Sequence, residues 1–239
     1  MEWDNIFYED KPSSIHESDK TIVRIGIVQW QMRSVHSLED LFRQAEFFIE
    51  SLSDYQSDFA LFPEFFSAPL MGLSRHENSV DDIRFLASFT EAIVDHFSHI
   101  AVTYNINIVA GSMLMQEGNR LYNVAYLLHR DGRIDQQYKI HITPHEKRDW
   151  VIDGGDTIKV FEIDAGRVGI LICYDSEFPE LGRIMAQQVV QILFVPFWTD
   201  TKNGYMRVRL CSQVREARHV RYAIFYRSSA TDSGRACQN

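Results

Sequence analysis

Residues Val168 to Ile172 form a short apolar run with β-branched side chains, the pattern of a buried strand. The run ends on Cys173. The chain then turns polar through Tyr174-Asp175-Ser176-Glu177 before Phe178-Pro179-Glu180. From Leu181 to Val190 a helix is expected, with Leu181, Ile184 and Met185 at i, i+3 and i+4. This puts a cysteine on a strand-to-helix turn. There backbone N–H groups point outward, and the positive end of the helix dipole favours a thiolate or an oxyanion. The plainer alternative is a small buried residue, because free cysteine packs like a hydrophobe.

Two other strand ends carry reactive groups. Phe59-Ala60-Leu61-Phe62 reads as a buried strand stopped by Pro63, and Glu64 follows. Leu121 to Leu128 and Ile134 to Tyr138 flank Arg130-Asp131-Gly132-Arg133, a hairpin by its Asp-Gly turn, and Lys139 follows its second strand. Strand ends share one edge of a sheet, so a carboxylate, an ammonium and a thiol can converge there. Each alone has a plain reading as a turn cap or a solvated charge. Together they make chemical sense. A free thiol has a pKa of about 8.5 and needs a base or a positive neighbour to act near neutral pH. Glu64 can take its proton, and Lys139 can face the thiolate and the developing oxyanion. The nine histidines are scattered. His141 and His145 lie near Lys139, so a Cys-His arrangement stays open.

The rest of the chain supplies a scaffold. Val23 to Val28 reads as a strand, and Leu38 to Leu52 carries a helical stripe. Residues 65–80 read as a loop, Ile83 to Tyr104 as one helix, and Ile106 to Gly111 as a strand. Ile158 to Ile163 and Arg167 to Ile172 flank Asp164-Ala165-Gly166 as a second hairpin. Ile192 to Val195 and Tyr222 to Tyr226 are further strands, with a helix from Tyr205 to Val220 between them. Alternating strands and helices followed by hairpins imply an α/β fold, a mixed sheet with helices packed on it. Residues 1–20 read as an N-terminal arm or linker, 21–228 as one domain and 229–239 as an atypical tail.

At 239 residues and 45% apolar content, the chain can bury a sizeable core. A net charge of −9 without a basic cluster argues against a nucleic-acid surface. Cys173, Cys211 and Cys237 lack both a disulfide framework and paired metal-ligand spacing, so reduced thiols and a cytoplasmic setting are expected. No apolar stretch reaches membrane-spanning length.

Phe62-Pro63-Glu64-Phe65, then Tyr138-Lys139-Ile140-His141, then Ile172-Cys173-Tyr174-Asp175 with Phe178-Pro179-Glu180, resemble in order and spacing the three signature segments of the nitrilase, or carbon–nitrogen hydrolase, superfamily. The stretches Lys139-Ile140-His141-Ile142-Thr143-Pro144-His145-Glu146 and Phe194-Val195-Pro196-Phe197-Trp198-Thr199-Asp200-Thr201 are similar to one bacterial branch. In that branch the hydrolase domain follows an acetyltransferase-type domain. The resemblance implies a four-layer α-β-β-α sandwich, with Glu64 as general base, Lys139 as electrostatic stabiliser and Cys173 as nucleophile. It implies the Tyr174 backbone N–H as second oxyanion donor and Glu146 as a second glutamate holding substrate near the lysine. It implies a small-molecule amide or nitrile substrate and no metal or organic cofactor. Amides or carbamoyl amines are favoured over nitriles.

Trp198, just past a strand, is expected to face the same edge as Cys173 and help shape the pocket. The family's Glu-Asn pair is replaced here by Arg218-His219. The chain stops at Asn239, and its C-terminal part reads as truncated. A homodimer is expected if that segment is complete. The alternative function is a non-catalytic binding or regulatory domain of the same fold.

Overall fold

In the computed structural model, which describes residues 22–74, 78–199, 201–218 and 222–227, the chain runs β1 (Ile25–Ile27), α1 (Leu38–Asp54), β2 (Phe59–Leu61), α2 (Ser79–Ala87), α3 (Thr90–Thr103), β3 (Asn107–Glu117), β4 (Arg120–Leu128) and β5 (Ile134–Tyr138). It continues through α4 (Pro144–Asp149), β6 (Val160–Ile163), β7 (Gly166–Ile170), α5 (Pro179–Gln187), β8 (Ile192–Phe197), α6 (Lys202–Arg218) and β9 (Tyr222–Arg227). The arm at 1–20, the tail at 229–239, His219 and Cys237 lie outside the described residues.

Strand alternation sorts the side chains into three apolar layers. In β2, Phe59 and Leu61 face one way and Ala60 the other. The first pair joins Val109, Ala125 and Leu127 against Val168, Ile170, Ile192 and Phe194, which is the contact between two sheets. Ala60, with Ile108, Val124 and Tyr126, packs on Leu41 and Ile49 of α1 and on Ile93 and Phe97 of α3. On the far side Leu171, Leu193 and Val195 meet Leu181 and Met185 of α5 and Val208 of α6. The result is helices, sheet, sheet, helices: the four-layer α-β-β-α sandwich that the signature segments imply.

One sheet has the order β1-β2-β3-β4-β5 and the other β6-β7-β8-β9. β1, β2 and β3 are parallel, while β4 is antiparallel to both β3 and β5. The C-terminal ends of β2 and β5 therefore lie on one edge. β7 and β8 are parallel, so their C-terminal ends also share an edge. At the opposite edge, Arg130 clips the sheets together. Its guanidinium pairs with Asp58, just before β2, at 3.1 Å and with Asp164 of the β6–β7 turn at 3.2 Å. No helix among the described residues is long and apolar enough to cross a membrane.

Three expectations need correction. The stretch Ile83 to Tyr104 is two helices. Ser88 bonds back to the Phe85 carbonyl at 2.7 Å, and the buried Thr90 hydroxyl turns to the Leu114 carbonyl, so the first helix ends at Ala87 and a second starts at Thr90. The loop at 65–80 contains a 3-10 turn, Ala68–Leu73, and the first residues of α2.

The strand expected to end at Gly111 runs on to Glu117 through a bulge between Val109 and Ser112. Gly111 adopts φ +54°, and a Cβ there would stand 1.9 Å from the Pro63 carbonyl oxygen. The missing side chain lets the Pro63–Glu64 backbone lie against β3, where Phe65 N–H donates to Ser112 O at 2.8 Å. Gly118 has a similar φ, +58°, but open space around it. Gly111→Ala is expected to cost about 2–4 kcal/mol in urea unfolding, against about 1 kcal/mol for Gly118→Ala. Equal costs would contradict the close approach.

Candidate active site

Glu64, Lys139 and Glu146 form one buried charge cluster. Glu64 leaves the end of β2 and is held by the bridge to Ser112. Lys139 is the residue after β5, and its backbone N–H donates to the Asn123 carbonyl at 2.9 Å, extending the β4–β5 ladder by one rung. Glu146 sits in the first turn of α4. There Thr143 and Glu146 make a capping box, each side chain satisfying the other's backbone N–H. All three side chains are buried, Lys139 to 1% exposure.

The Lys139 ammonium donates to Glu64 Oε1 at 2.8 Å and to both Glu146 oxygens at 2.9 Å. Glu64 Oε2 accepts the backbone N–H of Trp198 at 3.0 Å. Glu146 Oε2 also accepts the Thr143 N–H at 2.9 Å and its hydroxyl at 2.8 Å. A buried ammonium between two carboxylates is strongly held as a cation. Burial alone would lower its pKa, but the charges of Glu64 and Glu146 outweigh it and push the pKa up. Burial pushes Glu64 above the ordinary carboxylate range against the pull of Lys139, and Glu146 adds to the upward push. Burial acts upward on Glu146 too, but Lys139 and the Thr143 donors hold it below its ordinary value.

Cys173 is half-buried and faces this cluster across the gap between the sheets. Its thiol makes a long contact, 3.9 Å, to the Trp198 carbonyl, and the Glu64 charge acts on it directly. Its backbone adopts φ +48°, a strained conformation for a residue with a side chain. Desolvation and the facing Glu64 charge push the thiol well above its ordinary pKa, with Lys139 opposing. The resting group is therefore a thiol next to a carboxylate. The sequence-based expectation of a helix dipole at Cys173 is corrected as well. A 3-10 turn, Cys173–Glu177, fills the polar stretch and separates the thiol from α5, which begins at Pro179, two residues before the expected Leu181.

Tyr174 follows in that turn, with its ring edge-on to Phe178 at 5.1 Å. Trp198 is the residue after β8, and its main chain touches both Glu64 and Cys173. Its ring packs edge-on against Phe65, which in turn packs against Trp150. His141 and His145 are engaged elsewhere. His141 Nδ1 lies 3.1 Å from Asp175 and its ring stacks on Phe178, while His145 pairs with Asp149. Neither histidine supports a Cys-His pair. Among the described residues, no group of three or more His, Cys, Asp or Glu side chains could hold a metal ion.

Two residues escaped the sequence reading. Asp175, buried, accepts the backbone N–H groups of Ile140 at 3.3 Å and His141 at 2.7 Å, tying the Cys173 turn to the Lys139 segment. Asn123, fully buried in β4, donates its side-chain amide to Glu64 Oε1 at 3.0 Å and Glu146 Oε1 at 3.1 Å. A polar residue inside the apolar run Leu121 to Leu128 was the available signal.

Residues 24–235 match the family described as Carbon-nitrogen hydrolase. The chain belongs to the carbon-nitrogen hydrolase family. It is 41% identical over 224 residues to a probable hydrolase, YhcX, of Bacillus subtilis (strain 168), covering 94% of this chain and 44% of that protein. It is 27% identical over 190 residues to the human omega-amidase NIT2, covering 74% of this chain and 63% of that one. The chain thus spans less than two thirds of either relative. Among solved structures, Saccharomyces cerevisiae Nit3, a member of branch 10 of the nitrilase superfamily, superposes with a TM-score of 0.74 at 21% identity, over 89% of this chain and 78% of that one. This likeness is one of fold.

Lys139→Met would leave two carboxylates buried without their cation. Both would be pushed above the ordinary range in the folded state. The cost is then absent below about pH 4.3 and accumulates as the pH rises through the raised folded values. Thermal melts should show a loss of about 3–5 kcal/mol near neutral pH and a clearly smaller one in acid. An equal loss at both would contradict the charge cluster.

Proposed function

We propose that the chain is a thiol-dependent amidase acting on small linear amides or carbamoyl amines, with Glu64, Lys139 and Cys173 as the catalytic set. The observation that carries this reading is the Cys173 thiol facing Glu64, a carboxylate held by a fixed ammonium, the Asn123 amide and a backbone N–H. A thiol facing a base that is itself hydrogen-bonded to a cation meets the requirements of covalent acyl transfer. The family membership and the omega-amidase relative support the same chemistry.

Glu64 takes the thiol proton as sulfur attacks the amide carbon. The developing oxyanion is stabilised by Lys139 and the Tyr174 N–H. The tetrahedral adduct collapses, and the nitrogen leaves as ammonia or an amine with the proton from Glu64. Water, deprotonated by the same carboxylate, then attacks the thioester carbon. The carboxylic acid departs, and the sulfur regains its proton. Glu146 fixes Lys139 and faces the substrate. The Trp198 ring, with Phe65, shapes the pocket wall.

The finer assignments belong to the same proposal. They are a hydrolase domain over 21–228, the bacterial branch with a preceding acetyltransferase-type domain, a cytoplasmic setting and, where the C-terminal segment is complete, a homodimer. The unit acts on small molecules rather than on nucleic acid or membrane. The second reading, a non-catalytic domain of this fold, has no use for a base-paired thiol at a strained backbone position.

Ammonia release from a panel of small amides, carbamoyl amines and nitriles tests the proposal. Cys173→Ala should lose more than about 1000-fold in kcat/KM, and Cys211→Ala should match the wild type. Turnover surviving in Cys173→Ala would overturn it.

A further inference from the structure

Asn123 occupies the interior of β4, where every neighbour from Leu121 to Leu128 is buried. A fully buried amide in such a strand needs a reason, because unsatisfied polar atoms are costly there. Its partners supply one. The single side-chain nitrogen has two hydrogens, and each goes to a different carboxylate, Glu64 Oε1 at 3.0 Å and Glu146 Oε1 at 3.1 Å. Its backbone carbonyl meanwhile accepts the Lys139 N–H at 2.9 Å. One residue thus holds all three members of the charge cluster.

The carboxylates dictate the orientation of this amide. Turned over, it would set an oxygen acceptor against two carboxylate acceptors. As oriented, Asn123 Oδ1 is buried with no hydrogen-bond partner among the described residues. The side chain therefore accepts an unsatisfied oxygen in order to serve the two carboxylates.

The groups facing Glu64 come from every element packed around it. They are the Lys139 ammonium after β5, the Glu146 carboxylate of α4, the Cys173 thiol after β7, the Trp198 backbone N–H after β8 and the Asn123 amide of β4. Lys139 is the one cation among them, and it is shared between two carboxylates. With both ionised the cluster carries a net negative charge. A further cation could balance it but would compete for the thiolate. A neutral amide adds donors without adding charge.

We propose that Asn123 is a positioning residue for the reaction: its two N–H groups hold Glu64 and Glu146 in register around Lys139 and present Glu64 to Cys173 as an ionised base. This rests on the amidase reading of the site. Asn123 touches no reacting atom and acts through Glu64.

The test uses the full chain with Asn123→Leu, which keeps the volume and removes the donors, and Asn123→Ser, which keeps one shorter donor. Two readouts are followed against pH: kcat/KM for an amide that the wild type hydrolyses, and the rate of Cys173 alkylation by iodoacetamide, which needs no substrate. Both depend on Glu64 being ionised, so both fall on an acid limb. In Asn123→Leu that limb should move up by about one to two pH units, and in Asn123→Ser by less. A purely structural role would lower the melting temperature and leave the limb in place, and that result overturns the proposal. If Asn123→Leu does not fold, Asn123→Ser carries the test, and a limb at the wild-type position overturns it. A shifted alkylation limb in a protein that hydrolyses no amide would sink the amidase reading and leave the role of Asn123 standing.

Discussion

The site depends on one buried cation. Lys139 lies between Glu64 and Glu146 with almost no exposure, and its bonds to them are 2.8–2.9 Å long. Three such charges are costly to desolvate separately, so the cluster holds only if each finds its partners. It does, through one Lys, one Asn, the Thr143 cap and one backbone N–H. The same cation sets the electrostatics of the thiol. It offsets part of the Glu64 charge at Cys173 but not all of it, and the resting sulfur keeps its proton.

The fold exists around this cluster in a specific sense. Glu64, Lys139, Cys173 and Trp198 leave the ends of β2, β5, β7 and β8, two from each sheet. Their meeting requires the sheets to pack at a fixed offset, and the opposite edge is clipped by Arg130. Gly111 lets the Glu64 segment approach β3. Asp175 bridges the Cys173 turn to the Lys139 segment. The positive φ values at Phe65 and Cys173 mark where the backbone is bent to aim side chains rather than to continue regular structure.

Much of this was legible in the sequence because short apolar runs ending in Pro-Glu, Tyr-Lys and Ile-Cys mark strand ends, and Asp-Gly and Ala-Gly mark hairpins. Four layers followed from the resemblance, and the alternating faces of β2 and β8 give their physical cause. What escaped depended on contacts distant in sequence. Nothing local says that Gly111 opens a bulge, because the clashing atom belongs to Pro63. Nothing local says that Asn123 faces two carboxylates, at positions 64 and 146. The break between α2 and α3 turns on the Thr90 hydroxyl reaching Leu114. The polar stretch after Cys173 folds as a 3-10 turn, and Pro179, suited to the first turn of a helix, starts α5 two residues before the expected Leu181.

The central claim is that Cys173 rests as a thiol because it is desolvated and the Glu64 charge faces it, and becomes a nucleophile only by passing its proton to that carboxylate. The direct measurement is the ultraviolet absorbance of the thiolate against pH, taken as the difference between wild type and Cys173→Ala, and repeated in Glu64→Gln. The account predicts a Cys173 pKa above the usual value of about 8.5 and a fall in that value when Gln removes the facing charge. A thiolate already formed at neutral pH, or a rise in Glu64→Gln, would contradict it.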